Sequence, residues 1–250
     1  MLIKLQPLLY SLLFLAGLEI FVYFRSFVIF AIFFLFFVSF FQAKKIGKKW
    51  KYAIIPVLFS ISSVALLYLI QPSYERQVFI ILASAMYYLS LFGSYRLAEY
   101  RKDKTAKGMI AAVALASIFF VYASTYGLYL NFFVPLYWLI IAYLLATLLV
   151  SYQYFSILKE PNSPSDKKTV WAYSFLLSLT MAEIIWTMNY WPFGYLTTGV
   201  VALIIYYVLW EMVRSHFLGT LSKNKAIFSL SMFLILVSMV LLSSKWMPVF

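Results

Sequence analysis

Nine long apolar runs dominate this sequence, at roughly 8–24, 26–41, 52–70, 78–96, 109–127, 132–151, 170–189, 195–213 and 226–243. A helix needs about 20 residues, at about 1.5 Å each, to cross about 30 Å of hydrocarbon, and each run is close to that length. In lipid the backbone N–H and C=O groups must be satisfied internally, so only helices and closed barrels span a bilayer. These runs are continuous and lack the alternation of a barrel strand. The sequence therefore predicts an all-α, polytopic transmembrane helix bundle of nine spans. Its 65% hydrophobic and 11% charged residues lie far from the roughly 45–50% and 25% of a soluble domain. The longest gap, 152–169, is a polar turn segment around Pro161 and Pro164. A single integral-membrane domain over 1–250, with no soluble domain, is expected.

The positive charges supply an orientation. Seventeen of the twenty Lys and Arg lie at the N-terminus (Lys4) or in alternate gaps; only Arg25, Arg76 and Lys245 lie on the other side. Lys44, Lys45, Lys48, Lys49 and Lys51 fill the second gap, and Arg96, Arg101, Lys102, Lys104 and Lys107 the fourth. Lys159, Lys167 and Lys168 fill the sixth, with Arg214, Lys223 and Lys225 in the eighth. Cytoplasmic loops retain Lys and Arg, which predicts a cytoplasmic N-terminus and an outside C-terminus in a bacterial or archaeal cytoplasmic membrane. The net charge of +12 then reads as loops lying against an anionic leaflet and not as a nucleic-acid surface. Lipid headgroups are assigned to Lys44, Lys45, Lys48, Lys49, Lys51, Arg101, Lys102 and Lys104.

The first turn admits an alternative. Residues 8–41 are interrupted only by Arg25 and Ser26. One helix of that length would be about 51 Å long, too long for a single crossing without extreme tilt. Two helices turning at Arg25 fit better; eight spans with the N-terminus outside is the other arrangement. Lys4 before Leu8–Gly17 resembles a signal peptide, but Glu19, Ile20 and Phe21 follow in place of a small-x-small cleavage site. A retained span is expected.

Few residues carry chemistry. With no cysteine and one histidine, His216, disulfides, thiolate nucleophiles and multi-histidine metal sites are excluded. The two aspartates, Asp103 and Asp166, lie in loops, and no Walker, HExxH or GxSxG pattern appears. No cofactor is expected, and an enzyme ranks below other readings. Arg96/Glu99, Asp103/Lys107 and Glu211/Arg214 have helical i+3 or i+4 spacing and read as solvated interface pairs.

Two acids stand apart within apolar runs. Glu19 precedes Arg25 by six residues, and Glu183 precedes Asn189 by six, which sets each carboxylate about 9 Å below its outer marker. An acid at that depth is costly and a functional candidate by default, although it also serves as hydrogen-bonded glue between helices. Glu19 is expected to pair with Arg25. Glu183 shares a helical face with Tyr173, Thr180 and Thr187, a stripe expected to face protein or water. Ser174, Ser178 and Ala182 form a small-xxx-small face for close helix packing. The stripe ends at Asn189 and an aromatic turn containing Pro192 and Gly194, at the level of the interfacial belt. The candidate intramembrane polar site is thus Glu183, Thr180, Thr187, Asn189, Glu19 and Arg25. Ser60, Ser62, Ser63, Ser84, Tyr87, Ser90 and Ser94 are expected to hydrogen-bond between helices. The functional expectation is a non-enzymatic membrane component that binds lipid, a membrane-protein partner or a second copy. The alternative is a transporter of a small solute, ion or lipid with an outward-facing cavity around Glu183.

Overall fold

The computed structural model describes residues 2–23, 28–132, 134–158 and 167–244, and every regular element among them is helical. In chain order these are α1 (Leu2–Tyr23), α2 (Val28–Gly47), a single 3-10 turn (Trp50–Tyr52), α3 (Ile54–Leu69), α4 (Ser73–Glu99), α5 (Lys104–Phe132), α6 (Leu136–Leu158), α7 (Lys167–Met188), α8 (Tyr195–Phe217) and α9 (Lys223–Ser243). Eight of them are long and apolar enough to cross a membrane; α3, with 16 residues, is shorter. Several helices run past their apolar windows into polar ends. Asp103, for example, precedes α5 and accepts from the Ala106 N–H at 3.1 Å, starting the helix well before the apolar run at 109.

Residues 8–41 do not form one straight helix, since α2 packs on α1 and a Cβ on Gly17 would lie 3.3 Å from the Leu35 Cδ2. Arg25, the expected turn residue, lies outside the described residues. The count of eight candidate spans thus arises at α3, not at a fusion of the first two. At about 1.5 Å per residue, α3 is about 24 Å long, and most of its residues are buried. It packs against α2 and α4, so neighbouring helices rather than lipid surround it.

The chain divides into two compact units, 1–121 and 122–250, with the division inside α5. In the first, α4 packs on α1, α2 and α3, and α2 packs on α3. Leu18, Ile55, Phe59, Tyr87 and Leu91 are fully buried there, and Phe14 stacks on Tyr87 with ring centres 4.3 Å apart. In the second, α6 packs on α7, α7 on α8 and α8 on α9. A Cβ on Gly199 of α8 would lie 2.9 Å from the Ala123 Cβ and 3.0 Å from its Cα. Only glycine lets these two backbones come so close. The outermost helix, α9, has no buried residue.

Candidate functional site

In the first unit, α2 ends in a compact basic turn. Lys48 adopts φ 56°, the left-handed conformation that usually ends a helix on glycine. The glycine is one position earlier, because a Cβ on Gly47 would meet the Tyr52 Cβ at 2.7 Å. Lys44 Nζ lies 4.0 Å from the centre of the Trp50 ring, a cation–π contact. Lys45, Lys48 and Lys49 are exposed, and Lys51 occupies the 3-10 turn. Tyr52 is buried. Burial pushes its phenol pKa up from the ordinary value, and the positive charge of Arg101 opposes that shift. Arg101, in the turn between α4 and α5, thus lies near enough to Tyr52, in the segment after α2, for its charge to act on the phenol.

That second turn brings Arg101, Lys102 and Lys104 to the surface. Its ion pair differs from the expectation. Arg96 pairs with Asp103 at 2.7 Å, whereas Glu99 accepts a hydrogen bond from the Tyr95 hydroxyl at 2.7 Å. Asp103 is linked to Lys107 through the backbone, accepting its N–H at 3.1 Å. The reason is position. Glu99 ends α4, where the helix dipole disfavours an anion, and Asp103 starts α5, where it favours one. The Asp103 carboxyl is held below its ordinary pKa, chiefly by the Ala106 N–H and also by Arg96. The third pair forms as spaced, with Arg214 Nη1 donating to Glu211 Oε2 at 3.0 Å.

Glu19, half-exposed on α1, accepts a hydrogen bond from Gln77 Nε2 of α4 at 3.2 Å. This partner is 58 residues away and had no signal at the sequence level. Glu183 belongs to the second unit and is exposed on α7, as is Thr187. The Thr180 hydroxyl donates to the Leu176 carbonyl at 2.9 Å and the Thr187 hydroxyl to the Ile184 carbonyl at 2.7 Å, so both are engaged by their own helix. Ser174, Ser178 and Ala182 are buried. The small residues win the packing face because they allow close approach, and the stripe carrying Glu183 is left at the surface. Tyr173, at the start of that stripe, instead packs edge-on against His216, with ring centres 5.8 Å apart. Asn189 continues the helix into the aromatic turn, its N–H donating to Ile185 at 3.1 Å.

A buried polar cluster lies outside the residues that the sequence singles out. Tyr122, Tyr143, Thr147, Ser151 and Tyr206 are all fully buried in the second unit. The Tyr122 hydroxyl meets the Thr147 hydroxyl, which donates to the Tyr143 carbonyl at 2.6 Å. The Tyr143 hydroxyl donates to the Tyr122 carbonyl at 3.0 Å, and Ser151 and Tyr206 share a hydrogen bond of 3.1 Å. Tyr143, Thr147 and Ser151 are spaced i, i+4, i+8 on α6, the same stripe signal that singled out α7. In the first unit, the expected interhelical bonding is made by Tyr87, whose hydroxyl donates to Gln42 Oε1 at 2.9 Å, and by Ser60, whose hydroxyl reaches the Leu35 carbonyl of α2 at 3.5 Å. Ser62, Ser63 and Ser94 bond to carbonyls of their own helices. Among the described residues no group of three or more His, Asp or Glu is placed to hold a metal ion.

Among the described residues these features define an all-helical architecture with eight membrane-length apolar helices, compatible with residence in a membrane. The chain belongs to a family described as a protein of unknown function, DUF5656, whose model matches residues 38–243. The match starts within α2, so Glu19 lies outside it, whereas the basic turns and Glu183 lie inside. No curated protein and no solved structure matches the chain.

Proposed function

We propose that this protein is a non-enzymatic, lipid-binding component of the cytoplasmic membrane, with its basic turns on the cytoplasmic face. The observation that carries the reading is the exposure of two basic segments within the same unit, one after α2 and one between α4 and α5. Exposed Lys45, Lys48 and Lys49 come from one, and exposed Arg101, Lys102 and Lys104 from the other. Each basic residue near an anionic surface contributes about 1 kcal/mol of attraction, so two such exposed segments attract an anionic leaflet more strongly than either alone. The buried polar atoms fit the same reading, because the tyrosine cluster joins helices rather than lining an open cavity.

Replacing Lys44, Lys45, Lys48 and Lys49 with Gln tests it. In nanodiscs of mixed phosphatidylglycerol and phosphatidylcholine, the variant should retain fewer anionic lipids than the parent. Equal retention would remove the role given to these charges. Orientation has its own test: in intact cells, cysteine at Lys48 should be shielded from an impermeant thiol reagent and cysteine at Ser73 labelled. The exposed face of α7 that carries Glu183 is assigned to a membrane partner, because an acid facing hydrocarbon alone is costly.

A further inference from the structure

A groove of about 540 Å³ runs between α8 and α9 in the second unit. Its two ends differ in chemistry. Glu211 and Ser215 of α8, with Asn224 and Lys225 of α9, line the end beside the α8–α9 connection. Tyr207, Val208, Phe228, Ser229, Met232 and Leu236 line the remainder. Lys225, Phe228, Met232 and Leu236 are spaced three or four residues apart and so share one face of α9. From Lys225 to Leu236 that face extends about 16 Å, about half the hydrocarbon thickness. The groove is therefore charged at the helix ends and predominantly apolar for the depth of one leaflet, as a lipid with a headgroup and tails is.

The headgroup end carries both signs of charge. Glu211 receives Arg214 Nη1 at 3.0 Å on one carboxylate oxygen and the Ser215 hydroxyl at 3.4 Å on the other. An ionised carboxylate has about four acceptor sites, so it retains capacity for a further donor. Lys225 Nζ donates one bond, to the Thr220 carbonyl at 3.1 Å, out of three that an ammonium can make. Thr220 follows Gly219, which holds φ 67°. Ser222 caps α9 by accepting from the Lys225 N–H at 3.3 Å. The connection thereby fixes where Lys225 leaves the helix.

We propose that this groove binds a zwitterionic phospholipid with a primary-amine headgroup, of the phosphoethanolamine type. Its phosphate faces Lys225 and Asn224, and its ammonium donates to Glu211 and Ser215. A purely anionic headgroup would bring its charge against Glu211. A trimethylammonium group has no N–H to donate there and is recognised through aromatic faces instead. This site goes beyond the basic-turn reading and involves none of its residues.

The test uses the full-length protein in detergent, offered phosphatidylethanolamine, phosphatidylcholine and phosphatidylglycerol with identical acyl chains, with retained lipid counted by native mass spectrometry. Phosphatidylethanolamine should be retained in preference to phosphatidylcholine, the lipid that differs from it only in the headgroup amine. Glu211→Gln should cut that preference about tenfold, as expected for losing one charge-assisted hydrogen bond. Lys225→Gln should lower retention of phosphatidylethanolamine and of phosphatidylcholine, whose phosphate it would face, and leave phosphatidylglycerol unchanged. Met232→Trp, which fills the apolar part without touching the headgroup end, should expel phosphatidylethanolamine and serves as the variant independent of the Arg214 pair. None of these changes should alter phosphatidylglycerol held at Lys44–Lys49, so failure here and failure of the basic-turn reading are distinguishable. Equal retention of phosphatidylethanolamine and phosphatidylcholine by the parent overturns the proposal. So does a dimer that Met232→Trp dissociates, which would make the occupant a second copy.

Discussion

The rings of Tyr122 and Tyr143 stack with centres 3.9 Å apart and planes 3° from parallel, while the Tyr143 hydroxyl reaches the Tyr122 carbonyl. Two helices are thus joined by a ring face and a hydrogen bond at the same place. Thr147 closes the arrangement by meeting the Tyr122 hydroxyl and donating to the Tyr143 carbonyl.

Thr147→Val should be the most damaging single change in this cluster. It leaves the Tyr122 hydroxyl buried without its partner, at a cost of about 1–3 kcal/mol. Tyr122→Phe should cost less, about 1 kcal/mol, because Thr147 keeps its own acceptor. In the double variant the orphaned hydroxyl is gone, so the loss should be less than the sum. Thermal unfolding in detergent measures all three; additive effects would contradict the assigned bonding.

Gly199→Ala should destabilise by about 1–3 kcal/mol, as overpacking does, because the new methyl meets Ala123 and its backbone. Gly93→Ala should cost less, since its Cβ would meet side-chain atoms of Ile110 at 3.2 Å, and a side chain can move. Ala123→Gly should partly restore the Gly199→Ala variant. Melting temperatures that reverse the two glycines would dismiss the close approach of α5 and α8.

At the end of α2, two neighbouring substitutions should have opposite signs. Gly47→Ala drives a methyl into Tyr52 and should lower stability. Lys48→Gly relieves a left-handed conformation that costs an ordinary residue about 1–2 kcal/mol, less the greater chain entropy of glycine. It should be neutral or stabilising in the same unfolding assay.

Asp103 predicts an acid dependence. Its folded-state pKa is lowered from the ordinary 3.8, so the stability it contributes is present above about pH 4. That contribution fades as pH falls through the lower folded value. Asp103→Asn keeps the helix cap but loses the ion pair with Arg96, and it should remove this dependence. Asp103→Ala loses both interactions and should fray the start of α5 at neutral pH. Hydrogen exchange at Ala106 and Lys107 reads each effect.

The helices were legible because burial in lipid demands long apolar runs, and such runs are unmistakable in a chain this hydrophobic. The length of α3 was harder to read, since a helix wrapped by other helices looks as apolar as one facing lipid. The partner of Arg96 was misassigned because i+3 spacing favours Glu99, while the turn through Tyr100 that delivers Asp103 has no signature of its own. Glu19 and Glu183 drew notice as charges. The Tyr143–Thr147–Ser151 stripe did not, although its spacing is as regular, because hydroxyls are unremarkable until burial makes each one need a partner. Gln77 could be matched to Glu19 only by tertiary packing.

Since no residue of α9 is buried, what holds this helix in place is chiefly the surrounding bilayer rather than its neighbours. Under mechanical load applied at the C-terminus, it should peel away first and alone. The extension trace should show one early low-force step of a single helix, followed by separate, higher-force ruptures of the packed helices behind it.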